Sequence, residues 1–112
     1  MKATFIELPA FERYRSDYLS DDGYRELQQM LLENPEAGAR IQGTGGLRKI
    51  RFKDENRQKG KRGGIRVIYY WQNDLKHFWL FTIYNKDEMD DLTPKQRQTL
   101  SDLLSETLKK GC

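Results

Sequence analysis

The chain contains one cysteine, Cys112 at its very end, and one histidine, His77. A lone cysteine excludes an intrachain disulfide and a cysteine zinc site. A lone histidine excludes histidine-rich metal sites and a two-histidine acid–base pair. Long apolar runs are also missing. The longest strongly apolar stretch, Ile65 to Trp71, falls far short of a membrane span. Lys2, Glu7, Glu12 and Arg13 charge the first turns, which is not the pattern of a secretory leader. The expectation is a cytoplasmic protein with no membrane partner.

What is present is charge, unevenly placed. The 112 residues suit one domain, 1–112, with a modest core. Hydrophobic content is only 37%, but aromatics at 12% bury large areas each. Charged residues reach 33% and the pI is about 9.0. Between Leu47 and Arg66 lie Arg48, Lys49, Arg51, Lys53, Arg57, Lys59, Lys61, Arg62 and Arg66, opposed only by Asp54 and Glu55. Nine cations against two carboxylates give this segment +7 in a chain of +3, so everything outside it sums to −4. A focused cationic patch attracts polyanions, and nucleic acid fits better than a small acidic substrate. A membrane surface fits less well, because these cations sit on strand and loop rather than along an amphipathic helix.

The hydrophobic periods place the elements. Ala3 to Leu8 reads as a strand that Pro9 ends, and Pro9 then suits the first turn of a helix marked by Phe11, Tyr14 and Tyr18. Ser20 is an N-cap, with Asp21 and Asp22 favourable at the dipole, for a second helix whose face is Tyr24, Leu27 and Leu31. Asn34-Pro35 stops it. Glu36 to Gly46 is a glycine-bearing loop, Leu47 to Lys53 a second strand, and Asp54 to Gly63 a polar, mobile loop. Gly64 to Trp71, apolar on both faces, marks a central strand. Gln72-Asn73-Asp74 turns the chain into a fourth strand, His77 to Tyr84. After an acidic loop, Thr93-Pro94-Lys95-Gln96 forms a capping box for a last helix with Leu100, Leu103, Leu104 and Leu108 on one stripe and Gly111 beyond its end. The order predicts an α+β fold: a mostly antiparallel four-stranded sheet with two N-terminal helices and one C-terminal helix.

On the second strand, Arg48, Ile50 and Phe52 alternate with Leu47, Lys49 and Arg51, so Lys49 and Arg51 project together, about 7 Å apart. If that strand pairs with the third, Arg66 joins them, and Tyr84 and Lys86 stand at the end of the next strand. Cations beside a phenol make a phosphate site. RNA cleavage needs little more, because the 2′-hydroxyl of the RNA itself attacks the adjacent phosphate. The protein must take one proton, give another, and stabilise the added negative charge, without metal or cofactor. Arginine keeps its proton, so Arg51 and Arg66 can only bind and stabilise. Lys49 is the side chain able to exchange one, since flanking cations disfavour its charge.

Plainer readings stand beside these. The cationic face also reads, from charge alone, as a passive nucleic-acid platform. Gly43 to Gly46 and Gly60 to Gly64 carry no P-loop signature and read as a turn and a hinge. His77 beside a turn reads as an edge residue. Tyr69, Tyr70, Trp71, Trp79 and Phe81 read as core rather than as base-stacking platforms. Asp87, Glu88, Asp90 and Asp91 read as a solvated acidic face.

Four stretches, I-Q-G-T-G-G-L-R-K-I-R (Ile41–Arg51), G-K-R-G-G-I-R-V-I-Y-Y (Gly60–Tyr70), T-I-Y-N-K-D-E-M (Thr82–Met89) and D-L-T-P-K-Q-R (Asp91–Arg97), resemble the RelE/HigB family of bacterial toxins, most of all its HigB-type branch. Weaker likeness runs through Tyr18-Leu19-Ser20-Asp21. The resemblance implies a microbial-ribonuclease-like fold and a toxin that cleaves messenger RNA in the ribosomal A site. It implies a neighbouring HigA-like antitoxin, usually with a helix-turn-helix, which neutralises the toxin and carries it to operator DNA. The family's paired basic positions fall on Lys49 and Arg51, and its next-strand arginine on Arg66. Where RelE-like members carry an arginine after the last strand, this chain has Asn85-Lys86-Asp87, and their C-terminal tyrosine has no counterpart after Tyr84. Lys49, Arg51, Arg66, Tyr84 and Lys86 are thus the expected catalytic set. Arg48, Lys53, Arg57, Lys59, Lys61 and Arg62 are expected to meet ribosomal RNA. The division of acid and base roles stays open, and so does a non-catalytic RNA- and ribosome-binding blocker of translation. A plain interaction domain is the third reading, but it has no need of a +7 patch.

Overall fold

Eight apolar-rich residues, Ile65–Gln72, form the middle strand of an open sheet in a computed structural model that describes residues 1–53, 64–87 and 91–110. In chain order the elements are β1 (Thr4–Glu7), α1 (Pro9–Tyr18), α2 (Asp21–Glu33), β2 (Ala39–Arg40), β3 (Arg48–Phe52), β4 (Ile65–Gln72), β5 (His77–Asn85) and α3 (Pro94–Lys110). The sheet order is β1-β5-β4-β3-β2. Pairing is antiparallel throughout except for β1, which lies parallel to β5. The α+β class holds, but the sheet has five strands among the described residues where four were expected. The additional strand is Ala39–Arg40, inside the segment read as loop. It is two exposed residues long, too short for any alternation to show.

Helix ends follow local chemistry. Ser20 Oγ accepts from Gly23 N–H at 3.0 Å, capping α2, which stops at Asn34. At α3 the capping box closes in both directions: Gln96 N–H donates to Thr93 Oγ1 at 3.1 Å, and Thr93 N–H donates to Gln96 Oε1 at 2.8 Å. Gly111 and Cys112 lie outside the described residues.

The two sheet faces are covered by different helices. Phe11, Leu19, Leu27 and Leu31 from the α1–α2 hairpin pack on Ile50, Phe52, Ile65, Val67, Tyr69, Phe78, Leu80 and Ile83. On the other face Leu104, with Leu100 and Leu108 beside it, packs on Leu47, Ile68, Trp79, Phe81, Tyr84 and Leu92. Tyr14, expected on the buried face of α1, is 40% exposed, and Leu103 of α3 is 41% exposed. Aromatic packing is dense near β1: Phe5 stacks on Phe78 at 4.7 Å and Trp71 lies 4.4 Å from the same ring. No helix among the described residues is long and apolar enough to cross a membrane.

Ile68 pairs with Thr82 while Tyr69 pairs with Leu80, so Phe81 is an additional residue in β5. One extra residue on one strand is a β-bulge, and it reverses which face each later side chain takes. Ile83 therefore joins the α1–α2 core, and Tyr84 the α3 face.

Candidate functional site

Arg51 of β3 stands opposite Arg66 of β4, and Arg66 stands opposite Tyr84 of β5. Neighbouring strands lie about 4.8 Å apart, so these three form one row roughly 10 Å wide across the centre of the sheet. Lys49, opposite Ile68, is two residues along β3 on the same face, roughly 7 Å further on. Like charges directly opposite across a strand pair destabilise a sheet. Arg51 is exposed, but Arg66 is only 8% exposed, with Nη1 donating to the Ile65 carbonyl at 3.3 Å. Strand pairing thus brings the backbones of two arginines side by side, one of them mostly buried, which concentrates positive charge on this face.

Tyr84 completes the row. Its residue is 6% exposed, and its hydroxyl is buried with no hydrogen-bond partner among the described residues. Burial pushes the phenol above its ordinary value; nearby Arg66 works against this and Asp91 adds to it. A phenol so placed keeps its proton and holds it beside the cations.

Asp91 is largely exposed, as its reading within a solvated acidic face implied, but it also stands beside Lys49, a contact that sequence reasoning missed. Its Oδ1 lies 3.8 Å from Lys49 Nζ and accepts from Leu92 N–H at 2.8 Å. Leu92 is 6% exposed and pins this stretch to the α3-side core. The signal was the adjoining pattern Asp-Leu-Thr-Pro: a buried leucine followed by a helix cap fixes the aspartate just before it. The Lys49–Asp91 pair is loose, and the Asp91 side chain is 77% exposed, so it contributes at most about 1 kcal/mol.

The remaining predicted residues divide. Lys86 is exposed just past β5, where its N–H donates to the Gly64 carbonyl at 2.9 Å. Arg48 is on the opposite face from Lys49 and Arg51, and its Nη1 donates to the Gly38 carbonyl at 2.8 Å and the Glu36 carbonyl at 3.3 Å. Beside it Tyr69 donates to the Pro35 carbonyl at 2.7 Å and accepts from Gly38 N–H at 3.0 Å. Arg48 and Tyr69 together anchor the segment that becomes β2. Lys53 pairs with Glu26 of α2 at 3.1 Å, toward the helical hairpin. Arg57, Lys59, Lys61 and Arg62 lie outside the described residues, as do Glu88 and Asp90. His77 opposite Gln72 is six pairing steps from the Arg66–Tyr84 row, roughly 20 Å away, so it takes no part.

No known protein family's sequence profile matches the chain. Among solved structures the chain is similar to the E. coli toxin RelE in the free state, in a form bearing two arginine-to-alanine substitutions, with TM-score 0.51 and 17% identity over 80% of this chain and 90% of that one. It is also similar to a chain of the intact E. coli RelBE toxin–antitoxin complex, with TM-score 0.50 and 17% identity over 75% of this chain and 96% of that one. The fold is therefore RelE-like α+β, with three helices and an open, mixed five-stranded sheet.

Proposed function

We propose that this chain is the toxin of a toxin–antitoxin pair, of the HigB-type branch, and that it acts in the cytoplasm as a metal-independent endoribonuclease on messenger RNA in the ribosomal A site. The observation that carries the reading is the row Arg51–Arg66–Tyr84, with Lys49 on the same face. A phosphodiester seated on the row would be bound by two guanidinium groups whose charge grows in value as negative charge accumulates on phosphorus. Tyr84 would give its proton to the departing 5′ oxygen, and Lys49 and Lys86 would flank the site. Arg57, Lys59, Lys61 and Arg62 would contact ribosomal RNA, adding affinity that falls with salt. That one neighbour is a toxin and the other a toxin–antitoxin complex supports a protein antitoxin, HigA-like in this reading, as the partner in the cell and the link to operator DNA.

Expression of the chain without an antitoxin tests this. Growth arrest with discrete transcript ends at codons, abolished by Arg66→Ala, is the expected result. Arrest with intact transcripts would instead mark a non-catalytic translation blocker. Harmless expression of the wild-type chain would refute the toxin reading.

A further inference from the structure

Cleavage by the 2′-hydroxyl requires a group that removes its proton, and neither arginine of the row can do so. Lys49 sits in place, but a carboxylate already stands against it. We infer that Asp91 is the proton acceptor of the site, with Lys49 acting as the cation that holds it; this rests on the ribonuclease reading above.

Three observations lead there. Both contacts of the Asp91 carboxylate fall on Oδ1, from Lys49 Nζ at 3.8 Å and Leu92 N–H at 2.8 Å, leaving Oδ2 without a partner among the described residues. Asp91 is largely exposed, so a ribose can approach it. It is also fixed: Leu92 is buried and Thr93 caps α3, so the carboxylate is presented by anchored backbone on its C-terminal side. Lys49 of β3 faces it, and Asp91 and Arg66 of β4 both act on the phenol of Tyr84 on β5.

The competing role for Asp91 is a built-in rival of the phosphate, occupying Lys49 until RNA displaces it. Magnitude decides against it. An ion pair this open and loose is worth about 1 kcal/mol at most, about a fivefold effect on binding, which is too little to gate a site. Proton removal by a placed base contributes about 10²–10⁴-fold.

The step balances within the chain. The 2′ O–H bond breaks and its proton goes to Asp91 Oδ2 as the 2′ oxygen bonds to phosphorus. The bond from phosphorus to the 5′ oxygen then breaks, and that oxygen takes the proton of Tyr84. The products are a 2′,3′-cyclic phosphate and a 5′-hydroxyl. Asp91 afterwards loses its proton to water and Tyr84 regains one.

Single-turnover cleavage of a defined messenger RNA on purified ribosomes tests the assignment, using wild type, Asp91→Asn, Asp91→Ala and Arg66→Ala. Asparagine keeps the oxygen that accepts from Leu92 N–H, so the variant should fold; circular dichroism checks this. Asp91→Asn is expected to lower the chemical rate at least about 100-fold with RNA affinity unchanged or slightly tighter. Added formate, a small carboxylate, should restore part of the rate of Asp91→Ala and none of Arg66→Ala. Wild-type cleavage by Asp91→Asn, with Arg66→Ala inactive, would overturn this inference and leave the ribonuclease reading standing. Faster cleavage with tighter binding would overturn it in favour of the rival role. A wild-type chain that never cleaves would overturn both.

Discussion

Replacing Tyr84 with phenylalanine separates the demands of folding from those of chemistry. The ring stays in the α3-side core among Leu92, Leu104 and Ile68, and only the hydroxyl oxygen is lost. That oxygen is buried and has no partner among the described residues. A buried polar group left unsatisfied costs about 1–3 kcal/mol, and removing it without changing shape is neutral or stabilising. Tyr84→Phe should therefore match or exceed the wild type in stability, by up to about 2 kcal/mol. For a chain of this size each kcal/mol moves Tm by roughly 3–6 °C, so a rise of several degrees is the upper expectation. Loss of a proton donor should at the same time slow cleavage about 10²–10⁴-fold. Urea unfolding followed by circular dichroism measures the first quantity, and single-turnover cleavage on ribosomes the second. A variant more stable yet nearly inert is the expected signature. Destabilisation by more than about 1 kcal/mol would mean that the hydroxyl is satisfied in the folded state. Unchanged cleavage would remove Tyr84 from the chemistry.

Four further outcomes follow from other residues of the fold. Arg48→Ala should cost about 1–2 kcal/mol in urea unfolding, because its guanidinium bonds the Gly38 and Glu36 carbonyls, while its RNA affinity stays near wild type. Exposed Arg51 should do the reverse when changed to Ala: stability within about 0.5 kcal/mol, but weaker RNA binding with a shallower salt slope. Gly38→Ala should destabilise by about 1–3 kcal/mol on thermal melting, since a Cβ there would meet Tyr69 Cε1 at 2.9 Å and the Lys49 carbonyl oxygen at 3.0 Å. Finally, Tyr24, Tyr69 and Tyr84 are all held above the ordinary phenol value, chiefly by burial, with a hydrogen bond to Glu7 adding at Tyr24. The folded chain thus holds these protons more tightly than the unfolded one. Their contribution is intact below about pH 10 and lost as pH rises through the elevated values, so Tm should stay level to that point and then fall, in step with phenolate absorbance.

Where a residue's role was set by its immediate neighbours, the sequence was readable. Ser20 and Thr93 announced their helices because capping is a contact between residues three apart, and both caps form as expected. The alternation of Ile50 and Phe52 with Lys49 and Arg51 placed the cations on one face because a strand has a fixed period of two. What escaped depended on partners distant in sequence. β2 exists because Ala39 and Arg40 meet Lys49 and Arg48, with Arg48 and Tyr69 holding the approach, and two exposed residues carry no pattern of their own. The charge of Arg48 is visible in sequence, whereas its bonds to the carbonyls at 36 and 38 are not. The approach of Lys49 to the exposed Asp91 escaped for the same reason: only the fold brings the two together.

The bulge at Phe81 is the clearest case of a site made by something composition hides. With strict alternation from Phe78, which faces the α1–α2 hairpin, Leu80, Thr82 and Tyr84 would all share that face. Thr82 would then be buried against Val67 and the phenol would be sealed beneath the helices, on the side away from Arg66. Doubling Phe81 and Thr82 on the α3 side resets the period. Ile83 takes the core position beside Val67, and Tyr84 turns to Arg66. The repacking favours this on its own terms, since it buries isoleucine in place of threonine and tyrosine on the more enclosed face. The apolar core and the candidate site therefore ask for the same irregularity. The bulge that keeps Ile83 inside also keeps the Tyr84 phenol in line with two arginines.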